Sequence, residues 1–348
     1  MSTREALWAR ARELITRLAD GGRDDETRDA LLHDLSAYQA EHVECYGRVV
    51  AARGEEAALA TDVFRYARVS SRSEAEIVTT FRTSGTTHGT RGEHFFADLE
   101  LYELAAHAHG GWALFPDRER MPLLILAPRA DEAPDSSLTH MLECFAEDFG
   151  SDVRWLFSQG ELDSAGLKAA LEQAREPVAV LGTSFALMHA MESESTHRFV
   201  LPEGSRVMQT GGFKGRSRTL DPVTMRHELA QFFSLPEAHV VAEYGMTELS
   251  SQAWESSLRE SLLGLPPTPR CLRFPGWVRA RVVDPETLAS THDVGVLRVD
   301  DVANVDSVSA ILTSDLGRLT DEGFELLGRA SDAMPRGCSL AIEEALGR

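Results

Sequence analysis

The sequence predicts an α/β protein: mostly parallel sheets flanked by helices, with a helical leader before them and a smaller β-rich region after. Three observations carry this prediction. Short apolar runs alternate with amphipathic stretches from about residue 76 to residue 245, the pattern of parallel strands joined by crossover helices. Residues 1–60 show helical spacing instead, with Leu7, Ala11, Leu14, Ile15 and Leu18 on one stripe and Leu31, Leu35 and Tyr38 on another. From Pro266 the proline-rich string PPTPRCLRFPG breaks the pattern, and the runs RARVVD, GVLRVDD, SAILTSD and FELLGR follow, separated by turn residues.

Taken in order, the expected elements are a strand at EIVTTF (76–81), a helix over 98–113, a strand at PLLILA (122–127) and a helix over 136–149. The strand VRWLF (153–157), helix 161–175, strand VAVLG (178–182) and helix 184–192 come next. SRVMQTGG (205–212), a helical segment over 221–233 and AHVVAEYG (238–245) complete the alternation. The implied division is a helical leader over 1–70, an α/β core over 71–265, and a β-rich region with a C-terminal tail over 266–348.

With 348 residues, 43% hydrophobic and 26% charged, the chain is long enough to bury a sizeable core. No apolar run approaches the roughly 20 residues of a membrane span, and the charged N-terminus lacks a signal-peptide core, so the expected location is cytoplasmic. A formal charge of −20 argues against nucleic-acid binding, which needs a basic face. Cys45, Cys144, Cys271 and Cys338 lie far apart without a CxxC pair, as free thiols rather than a zinc site or a disulfide framework. Among 35 basic residues only Lys168 and Lys214 are lysines. Lys168 fits a solvated helix face, whereas Lys214 lies inside the glycine-rich string TGGFKG, where a compact ammonium has a use that Arg cannot fill.

Four polar strings fall after strands. Thr83-Ser84-Gly85-Thr86-Thr87, continuing to Arg91, offers hydroxyls, backbone N–H groups and a positive charge to a polyphosphate, although its spacing is not that of a P-loop and such strings also mark ordinary polar loops. Gly211-Gly212-Phe213, just before Lys214, permits close backbone approach to a flat ligand. Tyr244-Gly245-Met246-Thr247-Glu248 ends another strand; Glu248 is a candidate Mg²⁺ ligand, while the same string could simply start a helix capped by Thr247. The last string, Thr313-Ser314-Asp315 with Gly328-Arg329 beyond it, supplies a carboxylate for ribose hydroxyls and a guanidinium for phosphate.

The order TSGTT, GG, YGMTE, TSD and GR resembles the adenylate-forming superfamily of acyl-CoA synthetases, adenylation domains and luciferases over about residues 75–340. Within it EYGMTELSSQ, TGGFKG and the terminal RGCSL most resemble the acyl-protein synthetases of bacterial bioluminescence. The resemblance implies the large domain of that superfamily, with ATP and Mg²⁺ as cofactors, a carboxylic and in this branch fatty acid as substrate, and an acyl reductase or other acyl-acceptor protein as partner. It assigns phosphates to Thr83, Ser84, Gly85, Thr86 and Thr87, adenine to Gly211, Gly212, Phe213 and Tyr244, the α-phosphate and Mg²⁺ to Thr247 and Glu248, ribose to Asp315, and ribose or phosphate to Arg329. By the same resemblance Cys338 takes the acyl group as a thioester; Arg336, two residues away, would favour its thiolate, although a free cysteine is equally at home as a small buried hydrophobe. Two positions depart from the family pattern, His88 where glycine is usual and Arg91 where lysine is. The chain also stops about ten residues after Cys338, which implies that the superfamily's lysine-bearing C-terminal domain is absent. A CoA ligase of phenylacetate type and a non-catalytic scaffold on the same fold are the alternative readings.

Overall fold

The computed structural model describes residues 3–84, 90–194, 198–211, 221–330 and 336–347, without the side chains of 55 and 336–339. After three helices, α1 (Arg4–Arg17), α2 (Asp25–His42) and α3 (Glu44–Arg53), come a short strand β1 (Leu59–Ala60) and the pair β2 (Thr79–Arg82) and β3 (Glu93–Phe96). The α/β region then runs α4 (Glu100–Leu114), β4 (Met121–Leu126), α5 (Ser137–Phe149), β5 (Gly150–Trp155), the small hairpin β6 (Phe157–Ser158) and β7 (Glu161–Leu162), α6 (Ser164–Gln173), β8 (Ala179–Thr183), α7 (Ser184–Ser193), β9 (Arg206–Thr210), α8 (Pro222–Phe232), β10 (Val240–Tyr244), β11 (Ala253–Trp254) and α9 (Ser257–Leu263).

Six of these strands form one sheet in the order β11-β10-β9-β8-β4-β5, parallel throughout except for β11. The interior strands β4 and β8 are buried on both faces, so they read as continuous apolar runs rather than alternating ones, whereas the edge strand β5 is largely exposed. Leu124, Leu126, Val180, Val207 and Val240 face Leu167, Leu187, Met225 and Leu229 of α6, α7 and α8. Their neighbours Leu123, Ile125, Leu181, Met208 and Val241 face Ala106, Phe145 and Leu258 of α4, α5 and α9 on the other side. The helices start on side-chain caps, Ser136, Asp163, Thr183 and Asp221, each accepting from an otherwise unpaired backbone N–H.

One expected strand of this series lies elsewhere. Residues 79–82 pair antiparallel with β3, Thr79 opposite Phe96 and Arg82 opposite Glu93. Only Phe81 of β2 is buried, and a strand with one inward residue cannot occupy the interior of a sheet covered on both faces.

The second sheet contains β12 (Val278–Val283), β13 (Gly295–Asp301), β14 (Ala310–Leu319) and β15 (Phe324–Arg329), antiparallel, with β1 added parallel to β14. Leu297, Val299 and Ile311 share a core with Leu7 and Leu14 of α1, Leu31 and Leu35 of α2 and Val49 of α3, so the first helices cover this sheet. The residues expected as a tail form α10 (Arg336–Leu346), which packs on α3 and β1. Ala341 and Ala345, one turn apart and fully buried, make its inner face, and Glu344 pairs with Arg53. Among the described residues no helix is long and apolar enough to cross a membrane.

Candidate functional site

Strands β8, β9 and β10 end level with one another: Thr183 pairs with Thr210, and Thr210 with Glu243. Ligands of open α/β sheets collect at this edge because the turns that leave it expose backbone groups. Gly211, the first residue past β9, has φ of +71° and open space where a Cβ would stand. Its carbonyl accepts from Ser184 Oγ at 2.8 Å, which fixes the turn. On the neighbouring strand, a Cβ on Gly245 would come within 2.5 Å of Glu243 Oε1, so any larger residue here must displace that carboxylate.

Glu243 lies wholly inside, hydrogen-bonded by the Thr210 hydroxyl, and burial pushes its carboxyl up to about 7. A carboxyl raised in the fold stabilises below its ordinary value near 4.5 and loses that contribution as pH rises through about 7. Glu243→Gln should therefore abolish this part of the pH dependence, gaining up to about 3 kcal/mol on wild type between pH 4.5 and pH 8. Urea unfolding across that range measures it, and parallel stability curves for the two proteins would refute the assignment.

Two strings remote in sequence meet beside Glu243. Tyr244 donates from its hydroxyl to Asp315 Oδ2 at 2.9 Å, and Arg329 Nε donates to Asp315 Oδ1 at 3.2 Å. Asp315 and Arg329 are register partners across β14 and β15, which is why the carboxylate and guanidinium meet. Burial and the adjacent Asp315 carboxylate raise the Tyr244 phenol well above its usual range, so it remains a donor. Phe274 and Phe324 set the plane of its ring from the side, at 6.1 and 5.6 Å.

The segment after Tyr244 is held by buried polar groups. Asn304 Nδ2 donates to the Glu248 carbonyl at 2.9 Å, and its Oδ1 accepts from Ser250 Oγ at 2.6 Å. Asp301 accepts from the backbone N–H groups of Ser250 and Ser251 at 3.1 and 2.8 Å. Gln39 of α2 in turn donates to the Asn304 carbonyl at 2.7 Å and accepts from Ser309 N–H at 2.9 Å. On the other side, His94 Nδ1 donates to the Thr247 carbonyl at 2.8 Å, which fixes the tautomer, and burial lowers the ring to about 4 and keeps it neutral. His94 thereby ties the β2–β3 pair to the backbone that carries Met246, Thr247 and the buried Glu248.

Thr83 and Arg91 close the base of the loop between β2 and β3. Thr83 N–H donates to the Gly92 carbonyl at 3.0 Å, and Gly92 N–H donates to Thr83 Oγ1 at 2.9 Å. Arg91 donates to the carbonyls of Thr83 and Arg82, at 2.6 and 3.0 Å, and to Asp135 at 2.7 Å. Ser84 is exposed at the loop's start. Gly85, Thr86 and Thr87, and likewise Gly212, Phe213 and Lys214, lie outside the described residues. Cys338 falls in the first turn of α10, its side chain also outside them.

The structure thus unites Tyr244, Asp315 and Arg329, and it sets Gly211 at the same sheet edge. His94, Gln39, Asp301 and Asn304 are the supporting residues that sequence reasoning missed. The Asp300-Asp301 doublet at the end of a predicted strand was the available signal, and a buried carboxylate beside two backbone N–H groups explains it.

The profile described as "Acyl-protein synthetase, LuxE" matches residues 165–347, more than half of the chain. No curated protein matches. Among solved structures, ATP-bound MatB from Rhodopseudomonas palustris superposes with a TM-score of 0.51 at 18% identity, covering 75% of this chain and 50% of that one. An ATP-bound RpMatB-BxBclM chimera gives 0.50 at 17%, covering 74% and 49%. The chain spans about half the length of these structures, and at such identities the likeness is one of fold. With the profile match covering more than half of its residues, the chain belongs to the acyl-protein synthetase family.

Proposed function

We propose that this chain activates a fatty acid with ATP and passes the acyl group to a protein thiol. A carboxylate oxygen attacks the α-phosphorus of ATP and the bond to pyrophosphate breaks, leaving an acyl-adenylate. A thiolate then attacks the acyl carbon and AMP departs. The observation that supports this reading best is the Tyr244–Asp315–Arg329 cluster at the carboxyl edge of the parallel sheet.

Each described residue suits a part of that chemistry. The hydrogen bonds from Tyr244 and Arg329 engage one Asp315 oxygen each, and a carboxylate has about four acceptor positions, so capacity remains for a vicinal diol such as ribose. Gly211 and the fixed ring of Tyr244 offer a flat face to adenine. Arg91, with its donors on Thr83, Arg82 and Asp135, acts as the brace that shapes the phosphate loop. Lys214 supplies the point charge toward the phosphates.

Glu248 fits Mg²⁺ by the chemistry of its donor set, a carboxylate on clamped backbone, where one or two protein carboxylates are the usual complement. When bound, that ion neutralises phosphate charge. Cys338 is the proposed acyl acceptor, its backbone position in the first turn of α10 favouring the thiolate. An acyl reductase or other acceptor protein would then collect the acyl group.

Pyrophosphate release from ATP across a panel of fatty and aryl acids tests this reading. Wild type should release it only with acid present, fastest with fatty acids, and Asp315→Ala should raise the KM for ATP at least about tenfold through loss of charge-assisted bonds. ATP turnover indifferent to every acid would refute the reading.

A further inference from the structure

We propose that Glu103 of α4 with His140 and Cys144 of α5 forms a binding site for a divalent cation of zinc type, independent of the adenylation site. One ligand atom from each residue lies within 4.8 Å of the others. Glu103 Oε1 and His140 Nε2 are already 3.0 Å apart. His140 and Cys144 stand one helical turn apart and therefore share a face of α5. Neighbouring ligands on a tetrahedral zinc, bonded at about 2.0–2.3 Å, stand roughly 3.3–3.6 Å from one another, so small side-chain adjustments close the triad around an ion.

The donors choose the metal. A thiol, an imidazole and a carboxylate match zinc and its transition-metal neighbours, whereas Mg²⁺ and Ca²⁺ prefer oxygen alone. Three protein ligands leave the fourth position to water. The His140 ring is held from the side by Phe81 and Tyr102, at 5.5 and 5.6 Å, which orients its nitrogen before any ion arrives. One turn further along the same two helices His107 pairs with Asp148 at 2.7 Å, and the carboxylates of Glu103, Asp148 and Glu147 act on Cys144, so the surrounding charge is acidic and favours a cation. Binding displaces the Cys144 proton to solvent and staples α4 to α5 beneath β2.

Cobalt titration of the chelator-treated full chain tests this directly. Wild type should take up one equivalent of Co²⁺ with a thiolate-to-metal charge-transfer band and the strong visible absorption of a tetrahedral ion. Cys144→Ser should lose the charge-transfer band, while Cys45→Ser, Cys271→Ser and Cys338→Ser keep it. Zn²⁺ at a hundred times its Kd should raise the wild-type Tm by about 3–4 °C and leave Cys144→Ser unmoved. Glu103 is exposed, so Glu103→Gln should fold even if Cys144→Ser does not, and it should weaken Co²⁺ binding more than about tenfold. Absence of the band in wild type, its survival in Cys144→Ser, or unchanged affinity in Glu103→Gln would each overturn the proposal.

Discussion

Glu248→Gln should lower acid-dependent pyrophosphate release by about a hundredfold or more at every Mg²⁺ concentration, with Tm close to wild type. The size follows from removing one preorganised charge from a reaction in which phosphate charge must be neutralised, an effect of about 10²–10³ in comparable sites. Stability should survive because the clamp on this segment grips backbone, the Glu248 carbonyl through Asn304 and the next N–H groups through Asp301, and because Gln keeps the side chain's shape. Near-native release over the titration would remove Glu248 from the metal's coordination. A large fall in Tm would reassign it to structure.

Cys338→Ser should separate the two half-reactions. The variant should still form acyl-adenylate and release pyrophosphate in a first turnover, since Tyr244, Asp315 and Glu248 are untouched, but it should hold no protein-bound acyl group. Wild type given ATP and radiolabelled fatty acid should carry label that neutral hydroxylamine removes, as a thioester requires. Cys45 and Cys271 are buried, and variants at these positions and at Cys144 should label normally if they fold. Undiminished labelling of Cys338→Ser would eliminate this residue as acceptor. An unlabelled wild type that makes acyl-CoA efficiently would move the acceptor to coenzyme A.

The parallel sheet was legible because its physics is local. Strands buried on both faces are apolar throughout, the helices between them keep a 3.6-residue stripe, and the bounds of β4, β8, β9 and β10 fall within about two residues of the runs that announce them. β2 misled because EIVTTF has the composition of a strand, and composition does not reveal which sheet a strand joins. The end of the chain misled for another reason: the fully buried positions of α10 are two alanines, Ala341 and Ala345, with Ile342 and Leu346 only partly buried beside them, so in sequence the segment after Arg336 reads as a tail.

Within the site the strings themselves were legible and their meetings were not. Tyr244 and Asp315 are 71 residues apart and belong to different sheets, so their hydrogen bond is a property of tertiary packing. Gln39, Asp301, Asn304 and His94 look like solvated polar residues in a linear reading. Their importance appears only when each is seen buried and paired.

The bond from Gln39 to Asn304 joins residues 265 positions apart, and this separation governs how the chain must be born. At about 5–20 residues per second a ribosome needs roughly 13–50 seconds to deliver the second partner after the first. Throughout that interval the apolar stripe of α1 and α2 has emerged while the sheet that covers it is unwritten, long beyond the microsecond times in which short helices form. Nascent chains should therefore depend on holdase chaperones, and full-length chains refolding from denaturant should be slow, because a loop closure of this length precedes burial of the core shared by the first helices and the second sheet.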